Sequence, residues 1–154
     1  MKAIIAILTL ISSTYINAQD IPRQKLDAFA ANVSTLAKAK NIDGILALYD
    51  WQSTPQMAID INSQSWIDAV RTGGTAEVIF IPLGDPRISE FHLQENIDGQ
   101  TYNGTHYGPN LPIVGLLMVR FTPDGKPGMT LFKPVWRTDL GELRFAGIKC
   151  DKQK

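Results

Sequence analysis

The apolar residues of this chain change their spacing once, at Gly73 and Gly74, and this change limits the fold more than any other feature of the sequence. Upstream of the two glycines, apolar residues recur every three or four positions, which is the period of an amphipathic helix. Downstream, β-branched and aromatic residues dominate in runs of strand length. Because each element must bury one apolar side against another, this order predicts helices packed on a sheet, which is an α+β fold.

Three helices are predicted before the glycines. The first is an amphipathic helix of about four turns. Its apolar face is formed by Leu26, Phe29, Ala30, Val33, Leu36 and Ala37. Asn41 can cap a second helix that places Tyr49 on its apolar face. A third helix is predicted to begin near Asp60 or Asn62 and to end at the two glycines, where a left-handed cap is expected.

Four strands are predicted after the helices, in "TAEVIFIPL", "IVGLLMVRFT", "GMTLFKPVWR" and "ELRFAGIKC". The short, turn-rich connections "TPDGKPG" and "TDLGE" predict antiparallel hairpins between the last three. In the long segment after the first strand, "RISEFHLQE" alternates polar and apolar residues and predicts an extra, half-exposed strand, with turns at Asp98-Gly99 and Asn103-Gly104 beyond it. The predicted core includes Phe29, Val33, Leu46, Trp66, Phe80, Leu117 and Phe132.

Residues 1–18 have the features of a secretory signal peptide: a single lysine, an apolar run from Ala3 to Ile11, and the small residue Ala18 before Gln19. The apolar run is shorter than the roughly 20 residues that span a bilayer, and no later stretch reaches that length, so no membrane span is expected. We therefore predict one α+β domain over residues 19–154. It would be periplasmic or secreted, and soluble after removal of the signal peptide.

The charge pattern and the motifs exclude several classes of partner. The formal net charge is zero at pH 7, and Lys and Arg are scattered, so neither nucleic acid nor an anionic membrane is an expected partner. Cys150 is the single cysteine and cannot close a disulfide within the chain. The sequence has no phosphate-binding glycine loop, C-x-x-C pair or G-x-S-x-G elbow, and no cofactor is expected. A small molecule or a protein is left as the partner.

Two segments resemble the ketosteroid-isomerase-like and SnoaL-like superfamily, whose cone-shaped α+β fold is also that of nuclear transport factor two. "LAKAKNIDGILALYDWQ" is similar to the first helix of that group continuing through a break into the second, and "LFKPVWRTDLGELRFAGIK" is similar to its closing strands. The resemblance covers the chain from about Leu26 to Lys149. It implies N-terminal helices packed on a curved, mainly antiparallel sheet of four to six strands that encloses a cavity. A plainer cystatin-like helix-on-sheet arrangement is the alternative.

The first candidate site residue for such a cavity is Asp50, which lies between Tyr49 and Trp51. A carboxylate beside two aromatic rings can serve as a general base, or it can be a solvated acid at a helix end whose aromatic neighbours belong to the core. Arg120 is in register with Met118 and is either a cation at the cavity mouth or the end of a strand that reaches solvent. Enzymes of the resembled superfamily use an Asp or an Asp-His pair, but no matching motif can be carried over to this chain.

The other candidates surround the segment "YNGTHYGPNLP", which has neither a helical nor a strand period. Tyr102, His106 and Tyr107 are amphipathic side chains on a stretch that two prolines hold extended. This stretch is either a loop over the cavity mouth that determines specificity, or a packed loop anchored by its tyrosines. His92 and His106 are the only two histidines of the sequence, and their separation does not match the spacing of metal ligands, so no metal site is expected.

We interpret the chain as a non-catalytic exported domain that binds a small apolar or amphipathic ligand, or a protein, through its cavity. The candidate binding residues are Tyr49, Trp51, Tyr102, His106, Tyr107 and Arg120. The alternative is a cofactor-independent lyase, isomerase or hydrolase that uses Asp50 with His92 or His106. A carboxylate and a histidine within hydrogen-bond distance in one cavity would favour the enzyme. A third class is an oligomerisation module that forms a homodimer through the sheet.

Overall fold

The structure is a computed structural model that describes residues 21–152. The predicted signal peptide, residues 1–18, lies outside the described residues. The described part of the chain forms a mixed α+β fold, in which three helices precede most of the strands. This order agrees with the single change in apolar spacing.

The N-terminal helices are α1 (Arg23–Lys38), α2 (Ile42–Leu46) and α3 (Gln56–Thr72). The Asn41 side chain accepts a hydrogen bond from the Gly44 backbone N–H at 2.8 Å and so caps α2 as predicted. The predicted start of α3 near Asp60 or Asn62 is wrong, because the helix begins a turn earlier, directly after a proline. In that first turn Gln56 and Met57 are exposed and only the small residue Ala58 is buried, so the sequence gives little sign of it.

The strands are β1 (Tyr49–Asp50), β2 (Thr75–Pro82), β3 (Gln100–Tyr102), β4 (Thr105–Pro109), β5 (Ile113–Thr122), β6 (Thr130–Arg137), β7 (Leu143–Ala146) and β8 (Ile148–Lys152). They form two sheets. The larger has five strands, within the predicted four to six, in the order β1-β7-β6-β5-β2, and the smaller, which was not predicted, has the order β3-β4-β8. All neighbours are antiparallel except β1 and β7.

The segment "RISEFHLQE" is not a strand. It contains most of the short helix α4 (Pro86–Glu90) and the beginning of α5 (Gln94–Asp98). The Asp85 side chain accepts from the Arg87 backbone N–H at 2.9 Å, and proline occupies the first helical position, so an N-cap starts the helix where the sequence alternation predicts extended backbone. Ile88 and Leu93 are buried, whereas Phe91 is exposed.

The segment "YNGTHYGPNLP" is not an irregular loop. Most of it belongs to the β3–β4 hairpin, which turns at Asn103 and Gly104 as the sequence predicts. Both turn residues have positive φ, of 46° and 72°, which asparagine and glycine tolerate best. The hairpin extends into the smaller sheet because β4 also pairs with β8.

Two apolar clusters lie on opposite faces of the larger sheet. The first, between this sheet and helices α1–α3, includes Phe29, Val33, Trp66 and Leu117, as predicted. The second lies under α4 and α5 and includes Ile81 and Leu116, which alternate along their strands with members of the first. The predicted core residues Leu46, Phe80 and Phe132 are only partly buried, at the margins of these clusters. In residues 21–152 no helix combines the length and the apolar character that crossing a membrane requires.

Candidate functional site

The candidate site lies where β7 separates from β6. These strands pair at three positions, from Arg137↔Leu143 to Val135↔Phe145. If the register continued, Pro134 would lie opposite Ala146 and Lys133 opposite Gly147, but the pairing ends before these positions. Pro134 has no backbone N–H that could donate to a neighbouring strand. The chain passes through Gly147 into β8 of the smaller sheet. A gap therefore opens between β6 and the β7–β8 junction.

A half-open cleft of about 300 Å³ occupies this gap. Apolar and aromatic side chains form much of its wall, and they are Tyr107, Pro109, Phe132, Pro134, Ala146 and Ile148. The polar side chains that line it are Asn62, Glu95, Asn96, Gln100 and Lys133. This volume is at the lower end of the range for small-molecule sites, and the mixture of an apolar wall with a few polar groups is typical of them.

Lys133 is buried at the base of the cleft, with 8% of the residue exposed. It points to the helical side of the sheet because it alternates with Phe132 and Pro134 and shares a face with the buried residues Leu131 and Val135. Its Nζ atom donates to Asn62 Oδ1 at 3.1 Å and to Ser65 Oγ at 2.8 Å. The sheet and helix α3 thus hold the amine between them.

The charge of Lys133 has no counter-ion in the described part of the chain. No Asp or Glu of residues 21–152 lies within ion-pair distance of its Nζ atom, and both acceptors are neutral oxygens. The Trp66 ring, whose centroid is 5.8 Å from Nζ, adds a weak cation–π contact. Burial lowers the pKa of Lys133 to about 8, because removal from water disfavours the charged form.

Trp66 links the amine to a second buried polar pair. Its Nε1 donates to the Tyr49 hydroxyl at 2.8 Å, and the Tyr49 ring stacks on Trp51 with centroids 4.2 Å apart. Burial raises the pKa of Tyr49, and the hydrogen bond from Trp66 opposes that shift only in part. Tyr49 is therefore a neutral member of the core.

The break between β7 and β8 at Gly147 is held by hydrogen bonds from the Asn110 side chain and from the Gly147 backbone. Asn110 Nδ2 donates to the carbonyl oxygens of Asp50 at 3.0 Å and Gln52 at 2.6 Å, while the Gly147 N–H also donates to the Asp50 carbonyl. A side chain at Gly147 would collide with the Thr54 hydroxyl. This position admits only glycine without rearrangement, so the edge of the cleft is built by close approach of backbone to backbone.

The far side of the cleft is formed by α5 and the β3–β4 hairpin. Glu95 accepts a hydrogen bond from Gln100 Nε2, and both residues line the cleft. His106 does not line it; its Nδ1 lies 3.3 Å from the Thr101 hydroxyl, and its Nε2 packs close to Gly99 and Gly108. His106 therefore supports the cleft wall from behind.

Of the predicted binding residues, Tyr107 lines the cleft and the others do not. Tyr49 is buried in the core, and the half-buried Trp51 donates from Nε1 to the Leu46 carbonyl at 3.2 Å. Tyr102 is 69% exposed at the tip of the hairpin. Arg120 pairs with Glu77 across β5 and β2 at 3.3 Å, with both side chains partly in solvent.

The residues proposed for catalysis are not joined to one another. An Asp50 carboxylate oxygen accepts from the Gln52 backbone N–H at 3.0 Å, and His92 is exposed, with a positive φ of 54°, just after α4. No hydrogen bond of the described residues joins Asp50 to His92 or His106. In the same residues, no group of three or more His, Cys, Asp and Glu side chains could hold a metal ion.

A second, larger groove of about 590 Å³ lies between α1 and β2. Its charged side chains have partners of their own, since Arg23 lies 3.8 Å from Asp27 and Arg87 lies 2.7 Å from Asp85. The hydrogen bonds from Arg87 also lower the pKa of Asp85 to about 2. We select the smaller cleft as the candidate site, because it alone of the two contains a buried charge without a partner of opposite sign.

No family model matches this chain, and no curated protein is significantly similar to it. The candidate site is therefore defined by its own geometry. Sequence reasoning missed Lys133, Asn62 and Ser65, although a signal was present. A lysine two positions from both Leu131 and Val135 in an apolar strand shares their buried face, and Asn62 and Ser65 are spaced to share one side of α3.

Proposed function

We propose that the protein binds a small amphipathic organic molecule in the cleft between β6 and the β7–β8 junction. The polar end of the molecule would face Lys133 and Asn62, and its apolar part would lie along Phe132 and Pro134. The observation that carries the proposal is the buried amine of Lys133, which has no counter-ion among the described residues, at the base of an open cleft. Proteins rarely bury a charged side chain without a group of opposite charge nearby, and a bound ligand can supply that group.

We also propose that the protein is exported and that its α+β fold is cone-shaped. Support for a cone comes from the order of the elements, with two helices, a short strand and a third helix before the main antiparallel sheet, and from the change of sheet at Gly147. A homodimer through the sheet also stays a prediction. The strand available for it is β2, the edge of the larger sheet opposite β1.

A titration followed by NMR tests the proposed site. The ¹⁵N-labelled protein is titrated with six- to ten-carbon fatty acids, alcohols and amides, and the perturbed backbone signals are mapped. We expect the perturbations to centre on β6, α5 and the β7–β8 junction. Perturbations that centre on the groove between α1 and β2, or the absence of any saturable change, would contradict the proposal.

Two tyrosines of the same hairpin provide matched variants for this titration. Tyr107→Ala removes part of the cleft wall and should weaken binding about fivefold or more, since an aromatic contact in a pocket is a principal source of affinity. Tyr102→Ala, at the exposed tip, should leave binding unchanged. Equal effects of the two substitutions would show that the hairpin acts on the ligand only through its fold.

A further inference from the structure

We propose that the polar end of the ligand is a carboxylate, which forms an ion pair with the Lys133 ammonium. The inference rests on the proposed function and specifies the class of molecule that the cleft accepts. It follows from the kind of partner that Lys133 has, the donor it has left, and the other charged groups near the cleft.

The partners of Lys133 satisfy its hydrogen bonds without balancing its charge. An ammonium has three N–H donors, and Asn62 Oδ1 and Ser65 Oγ accept two of them. Both acceptors come from α3, on one side of the amine, and Asn62 itself lines the cleft. A ligand that enters through the cleft can approach the remaining donor.

A carboxylate is the ligand group that best offsets the energetic cost of the buried, uncompensated charge of Lys133. A neutral hydroxyl or amide oxygen could accept the third hydrogen bond, but the buried charge would persist. A carboxylate accepts the bond and also compensates the charge, and charge-assisted hydrogen bonds are roughly twice as strong as neutral ones. A ligand ammonium would be repelled by the ammonium group of Lys133.

The other titratable groups at the cleft are compatible with this assignment. Glu95 lines the opposite wall, where it accepts from Gln100, and Tyr107 is the second titratable side chain of that wall. From α3 the neighbours of Lys133 are the neutral side chains of Asn62, Ser65 and Trp66. Leu117, which is opposite Lys133 on β5, and Gly147, which lines the cleft at the β7–β8 junction, carry no charge.

Three molecules with one apolar chain and different head groups test the inference: octanoate, octanamide and octylamine. Calorimetric titration at pH 7 should show octanoate binding at least about tenfold tighter than octanamide, with octylamine weakest. Lys133→Met should remove the preference for octanoate. The control Lys149→Met, which changes an exposed lysine of β8 that pairs with Asp151 of the same strand, should preserve it.

The pH dependence supplies a second readout that needs no variant. Since the pKa of Lys133 is about 8 in the free protein, octanoate affinity should change little between about pH 6 and 7, where the amine is charged and the carboxylate is ionised. It should fall about fivefold or more by pH 9.5, whereas octanamide affinity should stay level. Because the wild-type protein is used, this result stands even if Lys133→Met fails to fold.

The outcomes separate the two proposals. Equal affinities of octanoate and octanamide, with NMR shifts in the cleft, would overturn the carboxylate assignment and leave the proposed function standing. A preference for octanoate that persists in Lys133→Met, or that does not fall as the pH rises, would also overturn it. Failure of all three molecules to bind in the cleft would contradict the proposed function and the carboxylate assignment together.

Discussion

Helix α3 contributes residues to two buried polar clusters, of which one is neutral and the other contains a charge. Trp66 donates to the Tyr49 hydroxyl within the main core, and neither of these side chains has a charge to balance. Asn62, one turn before Trp66, and the adjacent Ser65 hold the Lys133 ammonium, whose charge no described residue compensates. The first pair is closed on itself and lies among apolar side chains, whereas the second lies under an open cleft.

This difference separates a structural role from a functional one. A closed, neutral pair stabilises the packing around it and has nothing left to offer a ligand. A buried charge with neutral partners lowers stability, and it persists where binding or chemistry requires it. The comparison predicts that substitutions in the two clusters shift the stability of the protein in opposite directions.

The largest effect is expected for Trp66→Ala. Trp66 is fully buried, lies 5.8 Å from the Phe145 ring centroid and satisfies the Tyr49 hydroxyl, so its removal leaves a cavity and an unpaired polar group. The free energy of unfolding should fall by about 3–5 kcal/mol in urea denaturation. The control Phe91→Ala, which removes an exposed aromatic ring, should cost less than about 1 kcal/mol. Similar losses for the two variants would contradict the packing described for α3.

A smaller effect, of opposite sign, is expected for Lys133 as the pH rises. Its pKa is lowered from 10.5 to about 8 on folding, so between these values the unfolded chain binds a proton that the folded protein does not. Stability should therefore increase with pH in this window, by up to about 1.4 kcal/mol per pH unit from this residue. Measurements must stay below pH 10, because the raised pKa of Tyr49 lowers stability above its ordinary value of 10.0.

Lys133→Met isolates this contribution. At pH 7 the variant should be as stable as the wild type or more stable, because an uncompensated buried charge has been replaced by an apolar chain of similar length. Its advantage should shrink by about 2 kcal/mol as the pH rises from 7 to 9.5, since only the wild type gains stability. Urea denaturation at several pH values measures both curves. Parallel curves would mean that the Lys133 pKa is not lowered.

Local sequence patterns predicted the elements whose burial follows one strict period. The apolar face of α1, the Asn41 cap and the strands β5 and β6 are correct, because each depends on residues close together in the chain. The predicted single strand "ELRFAGIKC" is wrong in part, because the chain breaks at Gly147 into β7 and β8, which belong to different sheets. The same logic failed at "RISEFHLQE", where a short alternation competed with the Asp85 N-cap and the following proline. The capping signal determined the structure, and strict alternation over so few residues is weak evidence for a strand.

The candidate site was not predictable to the same degree, because its parts are distant in sequence. Lys133 and Asn62 are 71 positions apart and meet only after β6 packs on α3. The cleft itself depends on the end of the β6–β7 pairing near Pro134 and on the break between β7 and β8 at Gly147. Aromatic residues such as Tyr49 and Tyr102 are conspicuous in the sequence, but of the predicted aromatic binding residues only Tyr107 lines the cleft.

The most direct test of the account is the pKa of Lys133 measured by NMR in the free protein and with octanoate bound. Selective ¹³C labelling of lysine side chains gives the Cε signal, and Lys133→Met assigns it. The account predicts a pKa of about 8 without ligand, caused by burial without a counter-ion, and a clear rise when octanoate is bound. A pKa near the ordinary value of 10.5 in the free protein would contradict the central claim that the protein leaves this charge uncompensated.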